Sequence, residues 1–269
     1  MGMLRIKPSG LPERLKVGLR EALTELPVEL AEDGIPVEIT RGDCLRAELD
    51  EKSGRITYSK EVEIFRALAH IAREGIGCAI EERSCFKTNG FMLDASRNAV
   101  QKPEAVKALI RRMALMGLNL LMLYTEDTYE VEGYPYFGYM RGGYSKADVR
   151  DMDDYAAAFG IEMMPCIQTL GHHGMILRWM RAMGKIADTG DVLLAGEDAT
   201  YEYIERIMRD ASEPYRSKRI HIGMDESGSL GTGAYRAKHG ERPRIDIFQE
   251  HMGRVREIAR KLGLRPMIW

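Results

Sequence analysis

No stretch of the 269 residues stays apolar for the roughly 20 residues that a bilayer crossing takes, so no membrane-spanning helix is expected. The first residues, Met1-Gly2-Met3-Leu4-Arg5-Ile6-Lys7-Pro8, lack the apolar core of a secretory leader. Neither charge sign is in excess: 39 basic residues stand against 41 acidic ones, net −2, and the basic ones are spread along the chain. A phosphate-tracking surface needs clustered Lys and Arg, so nucleic acid is excluded as a partner. Cysteine is scarce. Cys44, Cys78, Cys85 and Cys166 show no CxxC spacing and no partner histidine at metal-ligand distance in sequence. Reduced, mostly buried thiols are expected, which points to the cytoplasm, or to secretion if a leader has been removed. No HExxH or comparable spacing is present, so no metal and no cofactor are expected.

Against these absences, a hydrophobic content of 45% and a charged content of 30% are ordinary for a soluble globular protein. Residues 1–88 read as a small α+β domain. A helix is predicted over Leu15–Leu26, strands over Val37–Thr40 and Arg55–Tyr58, and a second helix over Glu61–Arg73 that Gly75 ends. From Asn89 the rhythm changes. Strands are predicted at 90–94, 119–124, 161–167, 219–222 and 266–269. Helices alternate with them: one opened by Pro103 and closed by Gly117, and one opened by a Ser145/Asp148 capping box. Two more lie near Tyr201–Arg209 and over Asp246–Leu262.

Alternating strands and helices, each strand ending in polar residues, are the pattern of a (β/α)8 barrel of the TIM type. A doubly wound sheet also alternates, but no Gly-rich phosphate loop follows the first strand. Only five units are present over 89–269, so the barrel is incomplete as written and the chain is expected to belong to a longer polypeptide. Its open apolar edge would need the rest of the barrel or a self-associating partner to cover it.

The strand ends carry Asp94 and Arg97, then Glu126 and Asp127, then His172, then His221, Asp225 and Glu226, then Trp269. A barrel brings such ends to one mouth. Carboxylates, an arginine, histidines and an indole suit an uncharged, hydroxyl-rich ligand. An aromatic loop, Tyr129 to Tyr144, either stacks on a ligand or packs on itself.

His221-Ile222-Gly223-Met224-Asp225-Glu226 resembles the His-x-Gly-x-Asp-Glu signature of glycoside hydrolase family 20, the β-N-acetylhexosaminidases. Asp94-Ala95-Ser96-Arg97 resembles the family's first-strand Asp-x-x-Arg segment, and Gly171-His172 its Pro-Gly-His turn. Thr125-Glu126-Asp127 stands where the family has an acidic pair, and Trp269 where it has a fifth-strand tryptophan. The resemblance covers residues 89–269 in consistent order, and the preceding α+β domain also fits. There are departures: Met224 replaces a common second glycine, Leu120 and Met122 stand at common histidine positions, and Glu126 replaces an aspartate. Either Glu126 or Asp127 could then match the functional acid.

The resemblance implies an exo-acting enzyme that removes terminal N-acetylglucosamine or N-acetylgalactosamine by substrate-assisted, retaining hydrolysis. Glu226 would be the general acid and then base, and Asp225 would hold the 2-acetamido group as its oxygen attacks the anomeric carbon. Neighbours on an extended segment point apart, so the two acids would serve different parts of the sugar. Burial or a negative neighbour would have to raise the pKa of Glu226. Arg97 would grip sugar hydroxyls, and His172 with Glu126 or Asp127 would form a relay. Trp269 would wall the acetamido pocket, with His221 and Asp94 standing behind the ligand-touching groups. Two alternatives stay open: an inactive fragment or carbohydrate-binding protein that keeps part of the pocket, and an unrelated barrel hydrolase pairing Glu126 with Glu226.

Overall fold

The computed structural model describes residues 3–179 and 185–269. Packing divides it into two compact units. One comprises the residues up to Phe91 with Lys102–Leu121 and Asp151–Met163; the other comprises Met92–Gln101, Met122–Arg150 and Met164–Trp269.

The first unit opens with β1 (Leu4–Ser9), α1 (Lys16–Leu23), β2 (Val28–Leu30) and β3 (Ile35–Arg41). It continues with β4 (Leu45–Leu49), β5 (Gly54–Tyr58), α2 (Val62–Glu74) and β6 (Cys78–Glu82). The strands form one sheet in the order β2-β1-β3-β5-β4-β6. β1 runs parallel to β2 and β3, and β3 to β5, while β4 is antiparallel to β5 and β6. The sequence predicts only β3 and β5 of these six strands. β1 holds a single fully buried residue, Ile6, and β2 is three residues long, so neither leaves a pattern to read. β4 does alternate, Leu45, Ala47 and Leu49 inward against Arg46 and Glu48. The β4–β5 turn is held by Asp50 Oδ1, which accepts from the backbone N–H of Lys52 at 2.7 Å and Ser53 at 2.8 Å.

α1 is shorter than the predicted helix, with a 3₁₀ turn at Glu13–Leu15 before it. α2 buries Ile64, Phe65, Leu68 and Ile71 and stops at Gly75, whose φ of 70° suits a residue without a Cβ. The Phe65 ring lies 5.1 Å from that of Phe159, and the Tyr155 ring 5.2 Å from it.

From Gly90 the elements are β7 (Gly90–Asp94), α3 (Pro103–Met116), β8 (Leu120–Tyr124), α4 (Lys146–Ala157), β9 (Glu162–Cys166) and α5 (Gly174–Trp179). α6 (Asp198–Ser212), β10 (Arg219–His221), α7 (Ala234–His239), α8 (Arg244–Lys261) and β11 (Arg265–Met267) complete the chain. The five strands form a second sheet in the order β11-β10-β9-β8-β7, each beside its predecessor in sequence. β10 is parallel to both neighbours. The predicted strands fall within two residues of those observed, and Pro103, Gly117 and the Ser145/Asp148 box stand where the helix ends need them. Ser145 N donates to Asp148 Oδ2 at 2.9 Å, and Asp148 N returns the bond to Ser145 Oγ at 3.0 Å. α5 and α7, six residues each, are too short to show a stripe and are absent from the sequence reading.

One row of backbone bonds levels the strand ends. Ala95 N donates to Tyr124 O, Thr125 N to Cys166 O, Ile167 N to His221 O and Ile222 N to Met267 O, at 2.8–3.0 Å. Beneath this row the second unit buries Ile167, Leu170, Tyr203, Ile204, Ile220 and Val255. The aromatic loop divides: Tyr129, Phe137 and Tyr144 are buried, with Tyr129 and Phe137 edge to face at 5.0 Å, while Tyr136 and Tyr139 stay exposed. Cys44, Cys78 and Cys166 are buried free thiols, and Cys85 is exposed.

Of the histidines buried in the second unit, His173 and His251 are the least exposed, at 1% and 0%. His251 accepts from the Tyr201 hydroxyl at Nδ1 (3.2 Å) and donates from Nε2 to Thr169 O (2.9 Å). His173 packs edge-on to Tyr203. Burial pulls His173 down to about 3 and His251 down to about 4.

Phe159→Ala removes a ring with no solvent exposure and should cost about 3–5 kcal/mol in denaturant unfolding, against about 1 kcal/mol for Ser145→Ala at the helix cap. A Phe159→Ala cost below that of the cap contradicts the assignment. Unfolding frees both histidines to protonate near their ordinary value of 6.5, so the unfolded chain binds more protons below it. Their contribution is complete above pH 6.5 and is lost as pH falls toward 3–4. Tm should therefore fall over that window, and less steeply in His173→Phe.

Candidate active site

The bonded strand ends set several side chains around one imidazole. His172 follows β9 with φ at 59°, a left-handed value that is costly for a residue with a Cβ. Its ring is only 15% exposed. Nδ1 lies 3.9 Å from Glu126 Oε1, and Nε2 lies 3.5 Å from Asp225 Oδ2 and 3.6 Å from Glu226 Oε2. Nε2 is buried without a hydrogen-bond partner, an atom available to a substrate or to a rotated carboxylate.

The turn after β10 is not extended. Gly223, Met224 and Glu226 have φ of 68°, 77° and 50°, so the alternation expected of a strand does not apply. Both carboxylates converge on His172 rather than pointing apart. They differ in exposure instead: the Asp225 side chain is 30% exposed and that of Glu226 77%. The burial expected for Glu226 is therefore absent.

Asp225 is oriented by a residue that the sequence did not single out. Gln168, 1% exposed, donates from Nε2 to Asp225 Oδ1 at 2.9 Å and to the Tyr124 hydroxyl at 3.1 Å. Its Oε1 accepts from Met224 N at 3.2 Å. The Tyr124 hydroxyl accepts from Arg97 Nη2 at 3.2 Å and donates to Glu126 Oε1 at 3.0 Å. Burial raises the pKa of this phenol and keeps it protonated. The available signal was positional: Tyr124 and Gln168 both stand at strand ends, where polar groups face the mouth.

Arg97 also lies 3.7 Å from Glu126 Oε1 and 3.5 Å from Asp94 Oδ2, with its guanidinium 5.0 Å from the centre of the Tyr124 ring. Asp94 Oδ1 accepts from Ser96 N and Arg97 N, which folds the segment so that Arg97 returns over β8. Glu126 N donates to Ser96 Oγ at 2.7 Å.

Asp127 takes no part in this cluster. It is 2% exposed, faces Arg141 Nε at 3.1 Å, and burial raises its pKa. Arg141 also bonds Ser96 O, so this pair anchors the aromatic loop. His221 is buried, with Nδ1 accepting from Gly223 N at 3.2 Å, and burial lowers its pKa so that it stays neutral. The Trp269 ring lies 4.2 Å from that of His221 and is half exposed. A cavity of about 530 Å³ opens beside the cluster, lined by Glu126, His172, Met175, Arg178, Thr189 and Asp191. Among the described residues no three His, Cys, Asp or Glu are arranged to hold a metal ion.

Residues 86–269 match the family model described as glycosyl hydrolase family 20, catalytic domain. A probable β-hexosaminidase of Arthroderma benhamiae is 25% identical over 223 residues, 71% of this chain and 36% of that protein. β-Hexosaminidase 3 of Arabidopsis thaliana is 26% identical over 203 residues, 68% and 37% of the two chains. The chain thus spans little more than a third of the length of these relatives. Among solved structures, a family 20 exo-β-N-acetylglucosaminidase of Vibrio harveyi in complex with N-acetylglucosamine superposes with a TM-score of 0.82. It is 18% identical and aligns with 100% of this chain and 52% of its own. A mutant Streptomyces plicatus β-hexosaminidase in complex with N-acetylglucosamine gives 0.76 at 21% identity, covering 100% and 62%. Those likenesses show a shared fold, and the family model spans the segment that carries every residue of the cluster: the chain belongs to glycosyl hydrolase family 20.

Proposed function

We propose that the chain carries the acid/base and acetamido-holding centre of an exo-acting β-N-acetylhexosaminidase, working by substrate-assisted retention on terminal N-acetylglucosamine or N-acetylgalactosamine. The observation that carries this reading is the unequal treatment of two adjacent acids. Asp225 is gripped on one oxygen by Gln168, with the other turned to His172, while Glu226 stands open beside it.

A carboxylate fixed on one side can accept the acetamido N–H on the other. That bond raises the nucleophilicity of the acetamido oxygen and stabilises the positive charge that builds as the oxygen closes on the anomeric carbon. Glu226 donates its proton to the departing glycosidic oxygen and later takes one from the attacking water. Contact with substrate supplies the desolvation that the open side chain lacks. His172, between Glu126 and both acids, can share a proton with either. Arg97, half exposed and braced by Tyr124 and Asp94, offers N–H groups to hydroxyls of the terminal sugar. The direct pairing of Glu126 with Glu226 is disfavoured, because the His172 ring lies between them.

On this reading the sheet from β7 to β11 is five strands of the family's (β/α)8 barrel, preceded by an α+β domain. Exposed Phe91 on β7 and Met267 on β11 mark the edges where the remaining units or a partner would pack.

Release of p-nitrophenol from the β-N-acetylglucosaminide tests the assignment. Glu226→Gln and Asp225→Asn should each lower kcat by about 10²–10⁴-fold, and the plain β-glucoside should be a far poorer substrate. Unchanged turnover in both variants, or equal rates on the two glycosides, contradicts it. Arg97→Ala should act differently, raising KM more than it lowers kcat.

A further inference from the structure

We propose that Gln168 and Tyr124 are positioning residues that join the two working halves of the site, Gln168 setting Asp225 and Tyr124 setting Arg97 and Glu126. This rests on the function proposed above.

A glutamine amide has two N–H donors and one carbonyl acceptor. In Gln168 both donors are spent, on Asp225 and on Tyr124, and the carbonyl accepts from Met224 N. The Met224 N–H can only donate, so it fixes which end of the amide is oxygen and leaves Nε2 facing Asp225. The Tyr124 hydroxyl is equally committed, accepting from Arg97 and Gln168 and donating to Glu126. Two side chains thus connect the arginine that meets the sugar hydroxyls with the aspartate that meets its acetamido group.

The neighbouring backbone is shaped around Gln168. A Cβ on Gly223 would lie 1.9 Å from Gln168 Oε1 and 2.4 Å from its Cδ, and its φ is already left-handed. The glycine of the His-x-Gly segment is what admits this amide. The bond to Met224 N in turn helps hold a left-handed non-glycine residue immediately before Asp225. An amide also has no titration of its own, so its grip on Asp225 persists across the pH range. A carboxylic acid there would share its proton with Asp225 and lose it as pH rises. The charged and titratable groups around this pair are His172, Glu226, His221 and the Cys166 thiol, with Arg97 and Glu126 reached through Tyr124.

The test is the kinetics of Gln168→Ala, Gln168→Glu and Tyr124→Phe in the full chain on p-nitrophenyl β-N-acetylglucosaminide, with calorimetric binding of a stable thiazoline mimic of the oxazoline. Thermal melts run alongside. Gln168→Ala should lower kcat about 100-fold with a small change in KM, because misplacing Asp225 affects the step it assists. Tyr124→Phe should instead raise KM. Gln168→Glu should work best at acid pH, where the new side chain is protonated and still donates. Its activity should decline at a pH at least one unit lower than in the wild type. Thiazoline binding should weaken in Gln168→Ala whether or not turnover is measurable. Variants within threefold of wild type in both readouts overturn the inference, as does a uniform loss with an unmoved pH profile, which is what mere destabilisation gives. A wild-type chain that neither hydrolyses the substrate nor binds the thiazoline overturns the proposed function, and this inference with it.

Discussion

The site depends on a row of four backbone hydrogen bonds just past the strand ends. Each passes from the residue after one strand to the last carbonyl of the next, from Ala95 to Met267. These bonds hold the ends of the five strands at one level. Side chains from positions 94 to 269 are then neighbours because register leaves them no alternative. Nothing in the local sequence of β8 would bring Tyr124 beside Gln168; the bond from Thr125 N to Cys166 O does.

On that level the chain gathers acids at some cost. Asp94, Glu126, Asp225 and Glu226 stand around Arg97 and His172, with left-handed backbone at His172, Met224 and Glu226. Such a cluster persists only where the surroundings over-determine it, and here neutral donors do so: the Gln168 amide, the Tyr124 hydroxyl and backbone N–H groups. The arginine that could have neutralised the mouth further, Arg141, is turned to Asp127 and the loop. The result is a polar mouth in which carboxylates, one arginine and one imidazole face each other.

Much of this was legible in sequence, for physical reasons that differ by residue. Leu120–Tyr124 is apolar throughout because both faces are covered, so β8 reads plainly, and Gly117 and the Ser145/Asp148 box mark helix ends by local chemistry. β1 and β2 were not legible, since one buried residue in six and a run of three give no period. The choice between Glu126 and Asp127 was open because adjacent acids look alike in a string; in the fold Glu126 meets His172, Tyr124 and Arg97, while Asp127 faces Arg141. The exposure of Glu226 and the convergence of both acids on His172 were beyond sequence. They follow from three positive φ values in a turn where only one residue is glycine. Gln168 was hidden by its ordinary chemistry, an amide among acids.

In the proposed mechanism Asp225 acts through the substrate's own acetamido group. The direct measurement is kcat across a series of substrates with acetyl, fluoroacetyl, difluoroacetyl and trifluoroacetyl groups on the sugar nitrogen. Each fluorine withdraws electrons from the amide oxygen that must attack the anomeric carbon. The account predicts a steep, monotonic fall in kcat along the series; a rate indifferent to fluorination would contradict it.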